Sequence, residues 1–332
     1  MTIDYPLRFS PIYRRYLWGG RRLATALGKP LGEGADFAES WEIVDHGDDQ
    51  SCVTDGPLAG RTLHELLVAD PKALLGAGAM SNRFPLLFKF LDCNRKLSVQ
   101  VHPNDEQASR LTPPDLGKTE AWVILDAEPG SKVYAGLKRG FDRDALAREV
   151  ARGTTELCLH SIEVQAGDCI FIPAGTVHAL GDGLLVAEIQ QSSDTTFRLF
   201  DWNRVDASGH SRPLHVSASL ETIDYTRGPI AVQQPKPTAQ AGRERLVECD
   251  KFVLDRWTLP ADARVAEPTG GSFRLLAVLS GILRIDGDPA DEPLRRGEVA
   301  LVPAGMPELR CCADEATQML DITLPSNCSA GV

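Results

Sequence analysis

The sequence predicts a mainly β protein with added helices, arranged as two β-barrels of which the second is degenerate. Three observations carry that expectation. Apolar and alternating runs are short and divided by Gly, Pro and Asp, the pattern of strands. Helical periodicity is confined to three places. And one strand–turn unit occurs twice. Gly167-Asp168-Cys169-Ile170-Phe171-Ile172-Pro173-Ala174-Gly175 leads to Thr176-Val177-His178, while Gly297-Glu298-Val299-Ala300-Leu301-Val302-Pro303-Ala304-Gly305 leads to Met306-Pro307-Glu308. The separation is far longer than a solenoid repeat, so a duplicated domain is the economical account. The second copy carries Glu308 where the first has His178.

In chain order, Leu58–Leu75 reads as a helix pair around Asp70-Pro71. Arg143–Gly153 is amphipathic, with Leu146 and Val150 one turn apart. Pro213–Ile223 is a third helix, broken by Tyr225-Thr226-Arg227-Gly228-Pro229. Strand-like runs fill the intervals at Leu86–Asp92, Lys96–His102, Ala121–Asp126, Ser161–Val164, Cys169–Pro173, Leu185–Gln190 and Thr195–Phe200. Residues 1–228 thus form one domain with helical insertions at about 56–78, 141–153 and 213–224. Residues 229–245, rich in Gln, Pro and Ala, read as a linker or crossover. Residues 246–332 form the second domain, with runs at Phe252–Thr258, Phe273–Leu279, Ile282–Ile285 and Val299–Pro303.

Composition narrows the function. A chain of 332 residues with 43% apolar and 24% charged residues can bury real cores. The richest apolar run, Phe84–Leu91, is interrupted by Lys89 and is too short to span a membrane. The net charge of −11, without a basic block, argues against nucleic acid or an anionic membrane as partner. A phosphate substrate would therefore need a locally positive site. Met1–Pro6 has no export-signal pattern, and the eight cysteines are scattered without a Cys-x-x-Cys pair. Both features suit a cytoplasmic protein.

Several motifs fail. Gly117-Lys118-Thr119 resembles the end of a phosphate-binding loop, but the glycine required upstream is Thr112, followed by two prolines. His64-Glu65 has Val68 where a zincin needs histidine. There is neither a Gly-x-Ser-x-Gly elbow nor a Gly-x-Gly-x-x-Gly loop.

Lys96-Leu97-Ser98-Val99-Gln100-Val101-His102-Pro103 is more informative. Leu97, Val99 and Val101 point one way, and Lys96, Ser98, Gln100 and His102 the other. Gln100 and His102 therefore stand about 7 Å apart along one strand face, able to converge on one ion inside a barrel. The same pattern also fits a half-exposed edge strand. Glu120 opens the run Ala121–Asp126, and His178 follows the Pro-Ala-Gly turn; singly, each fits a solvated carboxylate or a structural histidine. Together, Gln100, His102, Glu120 and His178 give two nitrogens and two oxygens, a set suited to Zn²⁺, with Mn²⁺, Fe²⁺ and Co²⁺ also admissible. Three cations keep them company. Lys89 lies in an apolar run, where a lysine needs a partner or a polar cavity. Lys118 shares the parity of Glu120, and Arg198 sits among apolar neighbours with Thr196 on its own face. For each the plain alternative is a structural ion pair.

These residues fall in strings that resemble type I mannose-6-phosphate isomerases in their short bacterial form. The strings are Phe88–Leu91, Leu97–Asp105, Gly117–Glu120, Pro173–Leu180 and Glu188–Trp202, with Trp18-Gly19-Gly20 and Glu39-Ser40-Trp41-Glu42 nearer the start. The resemblance follows the chain in order to about Tyr225. It implies a cupin-type barrel with one zinc ion per chain held by Gln100, His102, Glu120 and His178. It implies an essential arginine at Arg198, active-site lysines at Lys89 and Lys118, and a second cupin without metal. The implied reaction interconverts D-mannose 6-phosphate and D-fructose 6-phosphate through a cis-enediol, with Arg198 and Lys118 as catalytic groups. Lys89 is then a phosphate contact, a role Arg198 could also fill, and Trp18 and Trp41 are candidates for the pocket wall or for plain core. Cupins also serve as sugar-binding modules and as oxygenases, so a non-catalytic sugar-phosphate-binding cupin, or an isomerase of another aldose phosphate, is the alternative.

Overall fold

The computed structural model describes residues 2–76, 81–205 and 209–325. The mainly β expectation holds. In the first part of the chain a six-stranded antiparallel sheet runs in the order Cys169–Ile172, Glu120–Ala127, Leu184–Gln191, Leu86–Cys93, Phe37–Ile43, Ile12–Gly20. A five-stranded sheet runs Leu159–Glu163, Lys132–Leu137, His178–Leu180, Val99–Val101, Phe197–Phe200. Leu91, Trp122 and Val186 of the larger sheet pack against Val133, Ala135 and Leu180 of the smaller in one buried apolar cluster. The last part of the chain repeats the plan. Its six-stranded sheet runs Lys236–Pro237, Arg243–Glu248, Val253–Leu259, Thr317–Thr323, Arg274–Ser280, Val299–Val302. A four-stranded sheet of Arg264–Pro268, Glu308–Ala313, Ile282–Ile285 and Leu294–Arg295 lies alongside.

The helices begin where local chemistry starts them. Thr62 and Glu65 form a capping box at the start of Leu63–Ala69. Asp70 then caps Pro71–Leu75, whose first position is the proline. Asp142 caps Arg143–Arg152, and Gly153, at φ 72°, closes it. The third helix is shorter than the pattern suggested, Val216–Thr222. Positions 77–78 of the first expected insertion, and 326–332 at the end, lie outside the described residues.

The run Lys96–His102 is a strand only over Val99–Val101. The carbonyls of Lys96 and Leu97 accept from the side chains of Arg204 (2.6 Å) and Trp202 (2.5 Å), not from a neighbouring strand. At the other end the His102 carbonyl accepts from the Gly175 amide. The strand lies in the interior of its sheet, so the edge-strand alternative falls away.

Within 229–245, Val232 bridges to Ile170, and Lys236–Pro237 pairs with Arg245 and Glu244. One buried apolar cluster holds Leu7, Phe88 and Ile189 together with Leu246, Phe273 and Ile322. Leu7 and Leu301 exchange both backbone hydrogen bonds, at 2.8 and 2.9 Å. No described helix is long and apolar enough to cross a membrane. The seven described cysteines are all unpaired; Cys328 lies outside the described residues.

Candidate metal centre and active-site cavity

Three strands and a turn deliver the donors. His178 opens the strand His178–Leu180 and pairs with Gln100 on Val99–Val101. His102 follows that strand by one residue. Glu120 opens Glu120–Ala127, between Ile172 and Gln190. The imidazole of His178 and the side chains of His102 and Glu120 are buried, and their donor atoms lie within 4.8 Å of one another. Among the described residues theirs is the one such group of His, Cys, Asp and Glu. Glu120 Oε2 is 3.5 Å from His102 Nε2, and Oε1 is 3.3 Å from His178 Nε2.

Both tautomers are fixed by the backbone. His102 Nδ1 donates to the Thr195 carbonyl at 2.9 Å and His178 Nδ1 to the Thr176 carbonyl at 2.8 Å. Each Nε2 is thereby left as a lone pair facing Glu120, the arrangement by which a carbonyl orients a metal-binding imidazole. Burial holds both rings neutral: His178 is lowered to about 3, and His102 falls well below its usual value by burial and then by the Lys118 charge. His178 Nε2 has no hydrogen-bond partner, an orphan in the centre of the group. Lys118 Nζ donates to His102 Nε2 at 3.0 Å and to Glu120 Oε2 at 2.5 Å. An ammonium thus stands where a cation would satisfy the same atoms. The donor set fits a divalent ion, with Gln100 on the adjoining register position.

Of this group, Glu120 lines a cavity of about 300 Å³. Gln100, Glu120, Lys118, Lys89, Trp18 and Arg198 all line it. Lys118 is set by its loop. The Lys118 amide donates to the Pro103 carbonyl, and Gly117 passes so close to Asp105 that a Cβ there would lie 2.5 Å from the Asp105 nitrogen. Only glycine fits this approach, which explains the glycine that first suggested a phosphate loop.

Lys89 is buried and ion-paired, 3.2 Å from Glu39 and 3.8 Å from Glu188. Burial alone would lower its pKa, but Glu188 and Glu39 outweigh it and keep the ammonium charged. Lys89 thus both lines the cavity and sits in a buried ion pair. Arg198 is half-buried on the cavity wall, with Nε on Ser98 Oγ at 3.4 Å and one terminal nitrogen on the Pro213 carbonyl at 3.1 Å. Burial, and then the neighbouring Arg212, lower its affinity for its proton. Trp18 is buried, stacked on Tyr16 at 5.6 Å, and its edge reaches the cavity. Trp41 instead packs with Val44 and Leu87 and donates to Glu39 at 2.6 Å.

The sequence reading missed Glu39, Glu188, Asp194 and Arg212, all on the cavity wall. Glu188 carried the signal that exposed Lys89, a lone charge within the apolar run Leu184–Gln191. Glu39 carried none, because its partner Lys89 is distant in sequence.

Antiparallel sheets around a buried histidine–carboxylate group that could hold a metal ion, beside a cavity lined by two lysines, two arginines and four carboxylates, define a β protein with a candidate metal site. Residues 7–128 match the catalytic domain of phosphomannose isomerase type I. Over 311 residues the chain is 35% identical to mannose-6-phosphate isomerase ManA of Bacillus subtilis, covering 93% of this chain and 96% of that one. It is 34% identical over 300 residues to mannose-6-phosphate isomerase of Streptococcus mutans, with 90% and 92% covered. The crystal structure of the mannose 6-phosphate isomerase from Bacillus subtilis aligns with a TM-score of 0.86 and 28% identity, over 96% of this chain and 99% of that one. The chain belongs to the type I phosphomannose isomerase family.

Proposed function

We propose that this protein is a zinc-dependent mannose-6-phosphate isomerase, active in the cytoplasm on D-mannose 6-phosphate and D-fructose 6-phosphate. The observation that carries the reading is the orphaned His178 Nε2 beside His102 and Glu120, where Glu120 lines a cavity that also holds Lys89, Lys118, Arg198 and Arg212 among four carboxylates. Zn²⁺ bound by Gln100, His102, Glu120 and His178 would supply electrophilic polarisation of the sugar carbonyl.

The chain's own residues account for the rest. Moving a proton between C2 and C1 of an open-chain sugar needs a group that takes it up and returns it on the same face. Lys118 Nζ stands 3.5 Å from Glu188 Oε1 as well as beside Glu120, so a proton at Nζ has a carboxylate to exchange with. Glu120, committed to the ion, is the least suited as base. Arg198 offers a fixed guanidinium to the charge that develops on the enediol oxygens. Lys89 is flanked by two carboxylates, so it adds no net positive charge. Arg212 also lines the cavity, held by Asp201 through hydrogen bonds of 2.6 and 2.8 Å, and with Arg198 and Lys89 it is a candidate contact for the phosphate dianion. Trp122 Nε1, buried on the wall and without a partner, is a donor for a sugar hydroxyl.

Residues 1–228 are taken as the catalytic cupin domain, 229–245 as the crossover and 246–332 as a degenerate cupin without metal. A coupled assay of fructose 6-phosphate formed from mannose 6-phosphate, before and after chelation and zinc re-addition, tests the reading. Turnover restored by zinc is expected. A protein that holds stoichiometric zinc without turning over the sugar phosphate would return the alternative of a binding-only cupin.

A further inference from the structure

We infer that Asp115 is a positioning residue for the metal centre, acting on His102 through Thr195. The inference rests on the reading of His102 as a metal ligand. Asp115 lies in the loop that precedes Lys118, outside the cavity. Its Oδ2 accepts from Ser193 Oγ at 2.8 Å and from Thr195 Oγ1 at 2.7 Å. Its Oδ1 accepts from Arg83 at 2.9 Å and from the Leu116 amide at 2.8 Å, and His46 Nε2 stands 3.5 Å away. The Ser193 hydroxyl also accepts from the Thr195 amide at 3.3 Å. One carboxylate thus fixes both hydroxyls of the Ser193-Asp194-Thr195 turn.

That turn has one task at the centre. The Thr195 carbonyl is the acceptor for His102 Nδ1–H, the bond that fixes the tautomer and aims Nε2 at Glu120. A carbonyl on a free turn would wander, and the ring would follow it. Asp194 and Thr196, on either side of Thr195, line the cavity, so the same anchor sets that wall. Asp115 itself touches neither His102 nor the cavity. It reaches the donor set only through the turn.

The test is zinc affinity, measured by competition with a chromophoric chelator, together with the visible spectrum of the cobalt-substituted protein. Asp115→Ala and Thr195→Val are compared with the parent protein, with Asp115→Glu as the conservative variant. Asp115→Ala is expected to weaken zinc binding by roughly 10–100-fold and to shift the cobalt bands, the range typical of outer-shell ligand partners. Thr195→Val, which keeps the carbonyl and removes only its tether, should move both readouts in the same direction, and Asp115→Glu should restore part of each. Folded variants with the parent's affinity and spectrum would overturn the inference, even with lowered thermal stability. If Asp115→Ala does not fold, an unchanged Thr195→Val is enough to overturn it. A parent protein that binds neither zinc nor cobalt would instead sink the metal-site reading itself, so the two failures are distinguishable.

Discussion

Glu120 and Arg274 hold the same register position in the two parts of the chain. Glu120 faces Ile172, and Arg274 faces Val302, each the residue before a Pro-Ala-Gly turn. The correspondence extends outward. Two residues on, Trp122 faces Glu188 and Leu276 faces Asp321; beyond them, Glu188 faces Lys89 and Asp321 faces Asp255. Where the first sheet carries carboxylate, then lysine, the second carries guanidinium, then carboxylate. Arg274 is buried and bonds Asp321 through two nitrogens. The second sheet thus carries a buried cation at this register position. Arg274→Ala should destabilise the protein by roughly 1.5–3 kcal/mol in urea unfolding, because it removes the paired hydrogen bonds to the buried Asp321, which keeps the Trp257 Nε1 donor at 3.0 Å and Arg243 at 3.6 Å. Zinc stoichiometry, measured on the folded variant, should stay at the parent's value.

Lys118→Met separates metal binding from turnover. It removes the ammonium that competes for His102 Nε2 and Glu120 Oε2. Zinc affinity should rise, and isomerisation should fall by about 10²–10⁴ if Lys118 moves the proton. Chelator competition and the coupled assay read the two effects. Weaker zinc binding in this variant would mean that Lys118 supports the site and does not compete with the ion.

Arg198→Ala and Arg212→Ala should differ in kind. The first is expected to lower kcat by about 10²–10³ with zinc still bound, as when a donor to a developing anion is lost. The second should act mainly on KM for the sugar phosphate, and inorganic phosphate should inhibit it less than the parent. Equal effects on both constants would merge the two roles.

His46 gives a pH signature. Its hydrogen bond to Asp115 raises its pKa above 6.5, more than partial burial lowers it. The folded protein therefore holds this proton more tightly than the unfolded chain does. The stabilisation is complete below pH 6.5 and is lost as pH climbs through the raised value. His46→Gln should be less stable than the parent at pH 6 in urea, with the gap closing toward pH 8.5. A gap independent of pH would show that packing, not the charged pair, is what His46 contributes.

The parts legible in the sequence were those with a local signature. Alternation put Gln100 and His102 on one face, and parity linked Lys118 to Glu120. Glu120 and His178 were weak signals singly, and the sheet is what brings them together: Gln100 pairs with His178, and His178 then faces Glu120. Of the carboxylates around Lys89, Glu188 stands out as a lone charge in an apolar run, but Glu39 was not legible, and neither pairing was, because both meet Lys89 across strand pairings. The strand Lys132–Leu137 also escaped notice. Gly136 interrupts its pattern, and its place is fixed by pairing with Leu159–Glu163 and His178–Leu180. Asp115 reads as an ordinary loop acid, since its hydroxyl partners come from a turn far along the chain.

The bond pair between Leu7 and Leu301 has a consequence for synthesis. The first strand-forming residues leave the ribosome long before the residue they pair with exists. Until then Leu7 and its apolar neighbours stand as an unpaired edge, and the contact that closes the molecule spans nearly its whole length. Such a chain folds late and slowly for its size. A nascent polypeptide arrested before Leu301 should be captured by chaperones or aggregate, even though Gln100, His102, Glu120 and His178 have already been made.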